Sequence, residues 1–553
     1  MNRSPAGPAP RVLIVLGLFW LCAGAWLRLF QFGSQIVIED EWHAIHKIVE
    51  SGFLDIFNSF GQNDYSIPLA LYDRFLMERG LLTEWTLKAP MLLCGVFLLT
   101  VLPRMLDDIA DNAERALWLG MLAISPLLVY FTNTARPYAV TMPAAFVAVI
   151  AARRWWLGGS RHWAAAYVAS TGLAGWLHPV TLGLTLLPIG YFGSLALRLA
   201  LTRKGIDPLR RVAGIGLVVL AVLAVLLGPP LYHDWYALGE KAGKHVVSAE
   251  SLYRTLLLMV GTASPLVLVA ALVMMAVGAI VHWRRDRGLT LYLSVLIAVF
   301  ALVLMASGAR WIRHPLVLAR YLLPILPFLL LALATGAVAI VRRFGKERSV
   351  VLLLLALPAA MLLTGPLPRT LVTPTQFLGH MRFQFDFDDS KNPYVTLAMP
   401  VRYPDFYRRL AEKKPESLTL IEMPWSHQSQ FNPLPFYQAL HRQKVKIGLE
   451  TGTCGERDTG DAGPGEYPVS AHGIRFANFV HLAALLRGDK VDADFLVVHK
   501  TLWAIPAGTM HPWPDMRECI ALISGKVGAP SFEDADIVVF ALSAVARNEA
   551  WND

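Results

Sequence analysis

Long apolar runs dominate the first two thirds of the chain, whereas polar and apolar positions are mixed in the last third. Each run approaches the roughly 20 residues that an α-helix needs to cross the hydrocarbon core of a bilayer. The pattern predicts a polytopic α-helical membrane domain over 1–366 and a soluble domain over 367–553. The runs lie near 12–31, 88–106, 116–133, 137–152, 163–181, 182–200, 212–231, 254–281, 289–307, 316–341 and 348–366.

Lysine and arginine residues in the connections between the runs set the expected orientation, because short basic loops stay in the cytoplasm. Counting about eleven spans between these loops places the N-terminus inside, the loop 32–87 outside and the segment from 367 outside. The small residues 22–25 are compatible with a cleavable signal peptide, but the long apolar core favours a retained first helix. The basic clusters are Arg153/Arg154/Arg161, Arg198/Arg203/Lys204/Arg210/Arg211, Arg284/Arg285/Arg287 and Arg342/Arg343/Lys346/Arg348.

Composition and charge agree with this division of the chain. The sequence is 55% hydrophobic and only 16% charged, with a mean hydropathy of +0.47, which excludes an ordinary soluble enzyme. Of the formal net charge of +9, residues 1–366 carry +12 and residues 367–553 carry −3. Because the basic excess lies in short loops between apolar runs, it indicates membrane topology and membrane lipids as partners, not nucleic acid.

The last third of the chain alternates between two kinds of periodicity. Four segments have strand character, and three segments between them have helical spacing. This alternation predicts a small α/β domain with a largely parallel sheet, which the topology places in the periplasm. Cys454 and Cys519 lie there in an oxidising compartment, and their pairing stays open because the sequence gives no Cα separation. The strands are expected at 417–424, 444–449, 494–499 and 535–542, and the helices at 435–443, 475–488 and 516–527.

The first outer loop opens with carboxylates directly after the first span. Asp40 and Glu41 precede a stretch whose apolar spacing predicts a helix on the membrane surface. Asp40 is either the N-cap of that helix or a partly desolvated carboxylate that accepts a proton. His43 and His46 are one helical turn apart, so a divalent metal at this loop also stays open.

Basic and aromatic residues occur in other outward-facing turns. Arg136 lies in a tight turn between two apolar runs, where a guanidinium either reaches toward lipid head groups or binds a phosphate. A cluster around Arg313 and Arg320 opposes the positive-inside trend and therefore suggests an anionic ligand. His178 falls at the outer end of another run. The topology places all of these side chains on one side of the membrane.

Together these motifs resemble the C-type integral-membrane glycosyltransferases, especially bacterial relatives of protein O-mannosyltransferases and of the aminoarabinose and galacturonate transferases that modify lipid A. The resemblance covers 1–366 and rests on the loop Asp-Glu, a later Pro-Leu segment, a hairpin of the form SP…Y…ARPYA and a helix of the form RY..P..P. The chain carries Asp64 to Leu69 where many relatives have Asp-x-His-Pro-Pro-Leu, and it lacks that histidine and one proline.

The resemblance implies an inverting glycosyltransferase that uses a polyprenyl-phosphate sugar as donor. The acceptor would be lipid A or lipopolysaccharide, an envelope glycan or a protein outside the bacterial inner membrane. A lipid phosphate is already a good leaving group, so it needs neutralisation of developing charge and a single carboxylate as base. The residues implied by the resemblance are Asp40 and Glu41 for catalysis and Arg136, Tyr138, Arg320 and Tyr321 for the donor phosphate. The expected outer positions of Asp64, His178 and Arg313 add these residues as candidates for substrate contact.

Two other functions stay open at this point. A transporter or flippase would place charges and broken helices near the middle of the membrane and would show internal repeats. A related polymerase or ligase would use glycans linked to a lipid diphosphate. The acidic segment 386–389 has the DxD pattern of soluble enzymes that use nucleotide sugars, but its expected external position favours an ordinary acidic loop.

Overall fold

The computed structural model describes most of the membrane part and a smaller share of the C-terminal part. The described residues are 10–30, 32, 41, 48, 51–60, 66–79, 81–202, 205–239, 243, 245–309, 312–344, 347–368, 403–423, 434–445, 490–500 and 517–547.

Seventeen described α-helices precede residue 369, with short 3₁₀ turns at Leu102–Leu106, Pro179–Thr181 and Leu323–Ile325. In chain order they are α1 Pro10–Leu29, α2 Phe53–Asn58, α3 Ile67–Glu78, α4 Glu84–Thr100, α5 Asn112–Ile124, α6 Pro126–Thr132, α7 Tyr138–Gly158, α8 Arg161–Leu177, α9 Leu182–Thr185, α10 Leu187–Leu201, α11 Asp207–Gly239, α12 Ala249–Val260, α13 Pro265–Arg285, α14 Arg287–Ala306, α15 Pro315–Leu322, α16 Leu326–Phe344 and α17 Glu347–Thr364.

Each apolar run of the sequence contains helix, which confirms a polytopic helical membrane domain. In the described part, seven helical stretches are long and apolar enough to cross a membrane, or eight when the bent pair α5 and α6 counts as one span. The prediction was wrong for the run 254–281, which is two helices. The chain breaks at Gly261, whose φ of +83° is a left-handed cap that favours glycine, and Pro265 begins α13.

A fully buried arginine stabilises the break between α5 and α6. Pro126 has no backbone N–H, so the carbonyl of Leu122 loses its helical donor. Arg28 of α1 replaces that donor: its Nη2 donates to Leu122 O at 3.0 Å and its Nη1 donates to Ala123 O at 2.9 Å. Gly95 of α4 leaves room for this side chain, since an added Cβ there would lie 3.0 Å from Arg28 Cδ. The 56° bend is therefore held by a specific side chain.

The closest helix packing joins α13 to α16. A Cβ at Gly278 would collide with the carbonyl of Ala332, and one at Gly336 would collide with the carbonyl of Met274. Small residues allow helix backbones to approach this closely in a membrane. A hydrogen bond from Trp118 Nε1 to Pro327 O, 2.8 Å long, adds α5 to the same core.

Ion pairs join the helix ends that the sequence places at the cytoplasmic face. Asp111 caps α5 and accepts a hydrogen bond from Arg342 Nη1 at 2.5 Å, while Glu114 lies 2.8 Å from Arg285 Nη1. Burial acts to raise the pKa of Asp111, but its hydrogen bonds to Arg342 and to backbone N–H groups outweigh that effect and lower the pKa. These contacts tie α5 to α13 and α16.

The chain divides into two compact units. One contains 1–30, 54–71 and 88–368, and the other contains 31–53, 72–87 and 369–553. In the second unit, a five-stranded sheet has the order β2-β1-β3-β5-β4. Its elements are α18 Asp405–Ala411, β1 Thr419–Met423, α19 Leu434–His441, β2 Lys444–Val445, β3 Phe495–His499, α20 Arg517–Val527, β4 Phe532–Glu533, β5 Ile537–Ala541 and α21 Ala544–Arg547.

This sheet confirms the α/β domain and refines its topology. Strands β2, β1 and β3 run parallel, but β5 pairs antiparallel with both β3 and β4, so the expectation of a largely parallel sheet was wrong for one side. Helix α20 connects β3 to β4 along the chain. The short strand β4 then pairs with β5. The expected helix 475–488 and the side chains of Cys454 and Cys519 lie outside the described residues.

A buried polar cluster lies at the carboxyl ends of β1 and β3. The Tyr407 hydroxyl donates to Glu422 Oε2 at 2.9 Å, and His499 Nε2 lies 2.7 Å from the same oxygen. Tyr437 stacks on Tyr407 with 4.5 Å between ring centroids. Burial, followed by the charge of Glu422, raises the pKa of Tyr407 well above its usual value. The tyrosine therefore stays protonated and satisfies the buried carboxylate.

Candidate functional site

One arginine and two histidines of the membrane part directly precede a proline at a helix break. A residue before proline is disfavoured in the α conformation, so helices tend to end there. Arg136 precedes Pro137 between α6 and α7. His178 is extended, with φ −158° and ψ 105°, between α8 and the 3₁₀ turn, and His314 is extended before α15. These helix breaks present polar side chains at ends of helices that are otherwise apolar.

The structure brings Arg136 and Arg320 to the ring of Tyr138. The guanidinium carbon of Arg136 lies 5.9 Å from the ring centroid, and that of Arg320 lies 5.3 Å from it. The two guanidinium carbons are therefore at most about 11 Å apart, the sum of these distances. Cations within about 6 Å of an aromatic centroid are attracted to the ring. One tyrosine thus organises an arginine of the turn before α7 and an arginine of α15.

His178 and Tyr321 complete this group. The His178 ring centroid lies 5.5 Å from that of Tyr138 and 5.7 Å from that of Tyr321. Arg320 also lies 5.4 Å from the Tyr321 centroid. Arg136, Tyr138 and His178 are 6%, 4% and 7% exposed, so these three side chains are largely removed from water, whereas Arg320 and Tyr321 are half-buried. We call Arg136, Tyr138, His178, Arg320 and Tyr321 the basic-aromatic cluster.

His314 lies next to this cluster. Burial, with a smaller contribution from the charge of Arg320, lowers its pKa to about 4. The imidazole is therefore neutral at neutral pH and adds no charge to the cluster. Arg313, its neighbour, is exposed in the turn before α15, and its expected contact with substrate stays a prediction.

Lys88 is a buried basic residue that the sequence reasoning missed. It is 0% exposed near the first turn of α4, and Lys is almost never fully buried without a partner. It shares a helix face with Gly95, seven residues later, where an added Cβ would lie 2.8 Å from the Thr132 methyl group. That face packs toward the end of α6, just before Arg136. Lys88 is the first residue of the apolar run 88–106, and its position at the end of the run gave no signal of its burial.

Two contacts join the α2 region to the C-terminal end of α8 and to the C-terminal part of α11. The rings of Phe57 and Trp176 pack edge to face, with 6.4 Å between centroids. The backbone N–H of Phe60 donates to Asp234 Oδ2 at 2.8 Å, and Asp234 has non-helical backbone angles at a kink in α11. Trp176 is two residues from His178, so this part of the first outer loop lies near the basic-aromatic cluster.

The acidic part of the predicted site is only partly described. Asp40, Asp64, His43 and His46 lie outside the described residues, and their roles stay predictions. Glu41 is helical and 2% exposed. Among the described residues, no group of three or more His, Cys, Asp or Glu side chains could hold a metal ion.

The described part of the site can bind an anion. Guanidinium groups form paired hydrogen bonds with phosphate oxygens, and a largely dehydrated setting strengthens such contacts. The tyrosine rings orient the guanidinium groups, so little side-chain freedom is lost on binding. The arrangement suits a ligand whose phosphate lies at the edge of the membrane.

Comparison with known proteins gives matches in structure alone. No protein-family profile and no curated protein matches the sequence. The chain is similar to ArnT from Cupriavidus metallidurans bound to undecaprenyl phosphate, at 12% identity and a TM-score of 0.49, over 97% of this chain and 99% of that one. The apo state of ArnT matches at 13% identity and a TM-score of 0.45, over 96% and 98%.

A third match is the archaeal oligosaccharyltransferase AglB from Archaeoglobus fulgidus in complex with an inhibitory peptide and a dolichol-phosphate. It is 10% identical, with a TM-score of 0.39, over 93% of this chain and 77% of that one.

Proposed function

We propose that this protein is an inverting glycosyltransferase that moves a sugar from a polyprenyl-phosphate donor to an acceptor outside the bacterial inner membrane. The observation that carries the proposal is the convergence of Arg136 and Arg320 on the ring of Tyr138. Residues of one turn and one distant helix meet in a mostly dehydrated group of basic and aromatic side chains. Such a group suits a lipid phosphate better than a soluble anion, because it lies among membrane helices.

The proposed reaction is a single displacement. The acceptor hydroxyl oxygen attacks the anomeric carbon, the bond from that carbon to the phosphate oxygen breaks, and polyprenyl phosphate leaves with the bonding electrons. Asp40 takes the hydroxyl proton, with Glu41 beside it as a second carboxylate. Arg136 and Arg320 stabilise the charge that develops on the leaving phosphate, and Tyr138 and Tyr321 hold them in place. His178, Asp64 and Arg313 contact the sugar or the acceptor.

Lys88 extends the proposed phosphate site. Its burial at the outer end of α4 and the packing of the same helix face toward the end of α6 make it a third cation for the phosphate. The phosphate of the donor is a diester that links a sugar to a lipid and carries one negative charge, whereas the lipid phosphate monoester that leaves carries up to two. An additional cation therefore favours the product state and the transition state that leads to it.

The ion pairs at the helix ends expected to lie at the cytoplasmic face favour an enzyme over a transporter. Alternating access requires two groups of helices to separate at each membrane face in turn. The pairs of Asp111 with Arg342 and of Glu114 with Arg285 resist separation of α5 from α13 and α16. A one-sided enzyme needs no opening at that face.

Binding of polyprenyl phosphate to the purified protein tests the proposal without knowledge of the acceptor. We expect Arg136→Gln and Arg320→Gln each to weaken binding between about 10- and 100-fold, as for loss of a hydrogen bond between charged groups. Arg254→Gln is the matched control, because Arg254 belongs to a different outer segment, where it pairs with Glu250 at 3.0 Å. Wild-type affinity in the double variant Arg136→Gln/Arg320→Gln would overturn the proposed phosphate site.

Analysis of envelope lipids, glycans and glycoproteins from cells with and without the gene would distinguish the acceptor classes. Loss of a single sugar from lipid A, lipopolysaccharide, a glycan or a protein is the expected result. Accumulation of an unligated polymer on a lipid diphosphate would instead indicate a polymerase or ligase.

A further inference from the structure

A groove on the membrane-facing surface of α8 and α11 lies at the ends of α7 and α8 that are opposite to Tyr138 and His178 of the basic-aromatic cluster. It has a volume of about 680 Å³ and is lined by α8 on one side, α11 on the other and Trp155 of α7 at one end. Val218 in its wall is 51% exposed, so the groove is open toward lipid. The small side chains of Ala164, Ala165 and Gly214 make it wide.

The groove has a defined end near the middle of the membrane. A Cβ at Gly172 of α8 would lie 2.8 Å from Val222 Cγ1 of α11, so the two helices touch there. From Arg211 to Val222, eleven residues along α11 span about 16 Å at 1.5 Å per residue. Half of a hydrocarbon core of about 30 Å is about 15 Å. The groove therefore has the length of an acyl chain in one leaflet.

The end of the groove opposite to Gly172 carries the guanidinium group of Arg211. Arg211 lies with its guanidinium carbon 5.6 Å from the Trp155 ring centroid, and its Nη2 is 3.5 Å from Trp155 O. Arg211 itself is exposed. Gly159, with φ +67°, ends α7 beside it, and an added Cβ there would lie 3.2 Å from Arg211 Nη2. Arg161 begins α8 at the same end and is also exposed.

We infer that this groove binds a glycerophospholipid with a negatively charged head group from the leaflet that the basic loops place at the cytoplasm. One acyl chain fills the groove between α8 and α11, and the lipid phosphate contacts Arg211. Charge complementarity selects this occupant, because a basic pocket between membrane helices at the cytoplasmic face suits anionic head groups. The site is separate from the proposed donor phosphate, which lies at the opposite membrane face.

Native mass spectrometry of the delipidated full-length protein tests this inference, with phosphatidylglycerol and phosphatidylcholine of identical acyl chains as probes. We expect phosphatidylglycerol to bind about fivefold more tightly, the effect of one basic residue near a membrane surface. Arg211→Gln should remove this preference. Equal binding of the two lipids to the wild-type protein would overturn the inference.

A second variant tests the groove itself. Gly214 has no atom within 4 Å of an added Cβ, so Gly214→Leu fills the groove without disturbing the helix packing. We expect it to weaken binding of both lipids. Gly190→Leu on α10 is the matched control, since Gly190 also has open space around it. Wild-type binding of both lipids by Gly214→Leu would show that the acyl chain lies elsewhere.

Discussion

The guanidinium carbon of Arg320 lies 5.3 Å from the ring centroid of Tyr138, although the two residues belong to α15 and α7. The same ring attracts Arg136 from the preceding turn. Tyr138 therefore decides where two positive charges lie, and a change of this ring should alter both arginines together.

Replacing Tyr138 tests this role of the ring. Tyr138→Leu removes the aromatic face and should raise the KM for the polyprenyl-phosphate donor between about 2- and 30-fold, the range of 0.5 to 2 kcal/mol for a cation–π contact. Tyr138→Phe keeps the face and serves as the control, so its donor KM should stay near the wild-type value. Equal effects of the two substitutions would show that the hydroxyl matters and not the ring.

Replacing the proposed base should abolish transfer without loss of donor binding. Asp40→Asn preserves the size of the side chain but cannot accept a proton, so we expect transfer to fall between about 10²- and 10⁴-fold. The measurement is mass spectrometry of envelope glycolipids and glycans in cells that carry only the variant. Polyprenyl phosphate should still bind, and Glu41→Gln tests whether the neighbouring carboxylate is equally needed. Full transfer by Asp40→Asn would remove this residue from the mechanism.

His314 should make the fold less stable in mild acid. Its pKa in the folded protein is about 4, below the usual value near 6.5, so the unfolded chain binds more protons between these values. Stability contributed by this group is therefore complete above about pH 6.5 and falls as the pH approaches 4. Thermal unfolding in detergent at pH 7 and pH 5 should show a smaller loss for His314→Gln than for the wild type.

The lowered pKa of His314 also leads to a prediction about the pH dependence of donor binding. His314 is neutral between pH 5 and 8, so its titration should not shape the pH dependence of donor binding in that range. Binding of polyprenyl phosphate by His314→Gln should follow the wild-type pH profile. A profile altered between pH 5 and 8 in this variant would show that the imidazole does titrate there.

Arg28 should be required for the stability of the membrane part. Arg28→Met leaves the carbonyls of Leu122 and Ala123 without their donors, and each buried unsatisfied group costs about 1 to 3 kcal/mol. We expect a clear decrease in the thermal unfolding temperature in detergent. Arg28→Lys keeps the charge but not the planar pair of donors, so its decrease should be intermediate. A methionine variant as stable as the wild type would mean that water replaces the guanidinium.

Local pattern explains which parts of the fold were predictable. The apolar runs coincide with helices because hydropathy over about 20 residues depends on neighbours in the chain. The strands near 419, 495 and 537 were recognisable for the same reason. The run 254–281 was misread because its break depends on one left-handed glycine and Pro265, and apolar composition is continuous across them. The direction of β5 was misread because strand pairing is decided by contacts distant in sequence.

The candidate site was also predictable only in part: its residues were recognisable in the sequence, but most of their contacts were not. Resemblance of short motifs singled out Arg136, Tyr138, Arg320 and Tyr321, and topology added His178 as a residue of the same face. The contacts of Arg320 and His178 with the Tyr138 ring were not predictable, because no periodicity relates residues of separate helical segments. Lys88 was missed because the sequence does not show whether a basic residue at a helix end reaches water or is fully buried.

The sequence by itself determined that this chain is a membrane protein with a C-terminal α/β domain, and it marked a small set of basic and aromatic residues. The architecture and these marked residues can be recognised from short stretches of sequence. The free-energy cost of placing a helix in lipid is roughly the sum of the costs of its own side chains. Only the tertiary structure decided that two arginines share one tyrosine ring and that Arg28 completes the bend before them. Those contacts depend on how α1, α5, α7 and α15 pack, because side chains far apart in the chain meet only when their helices do.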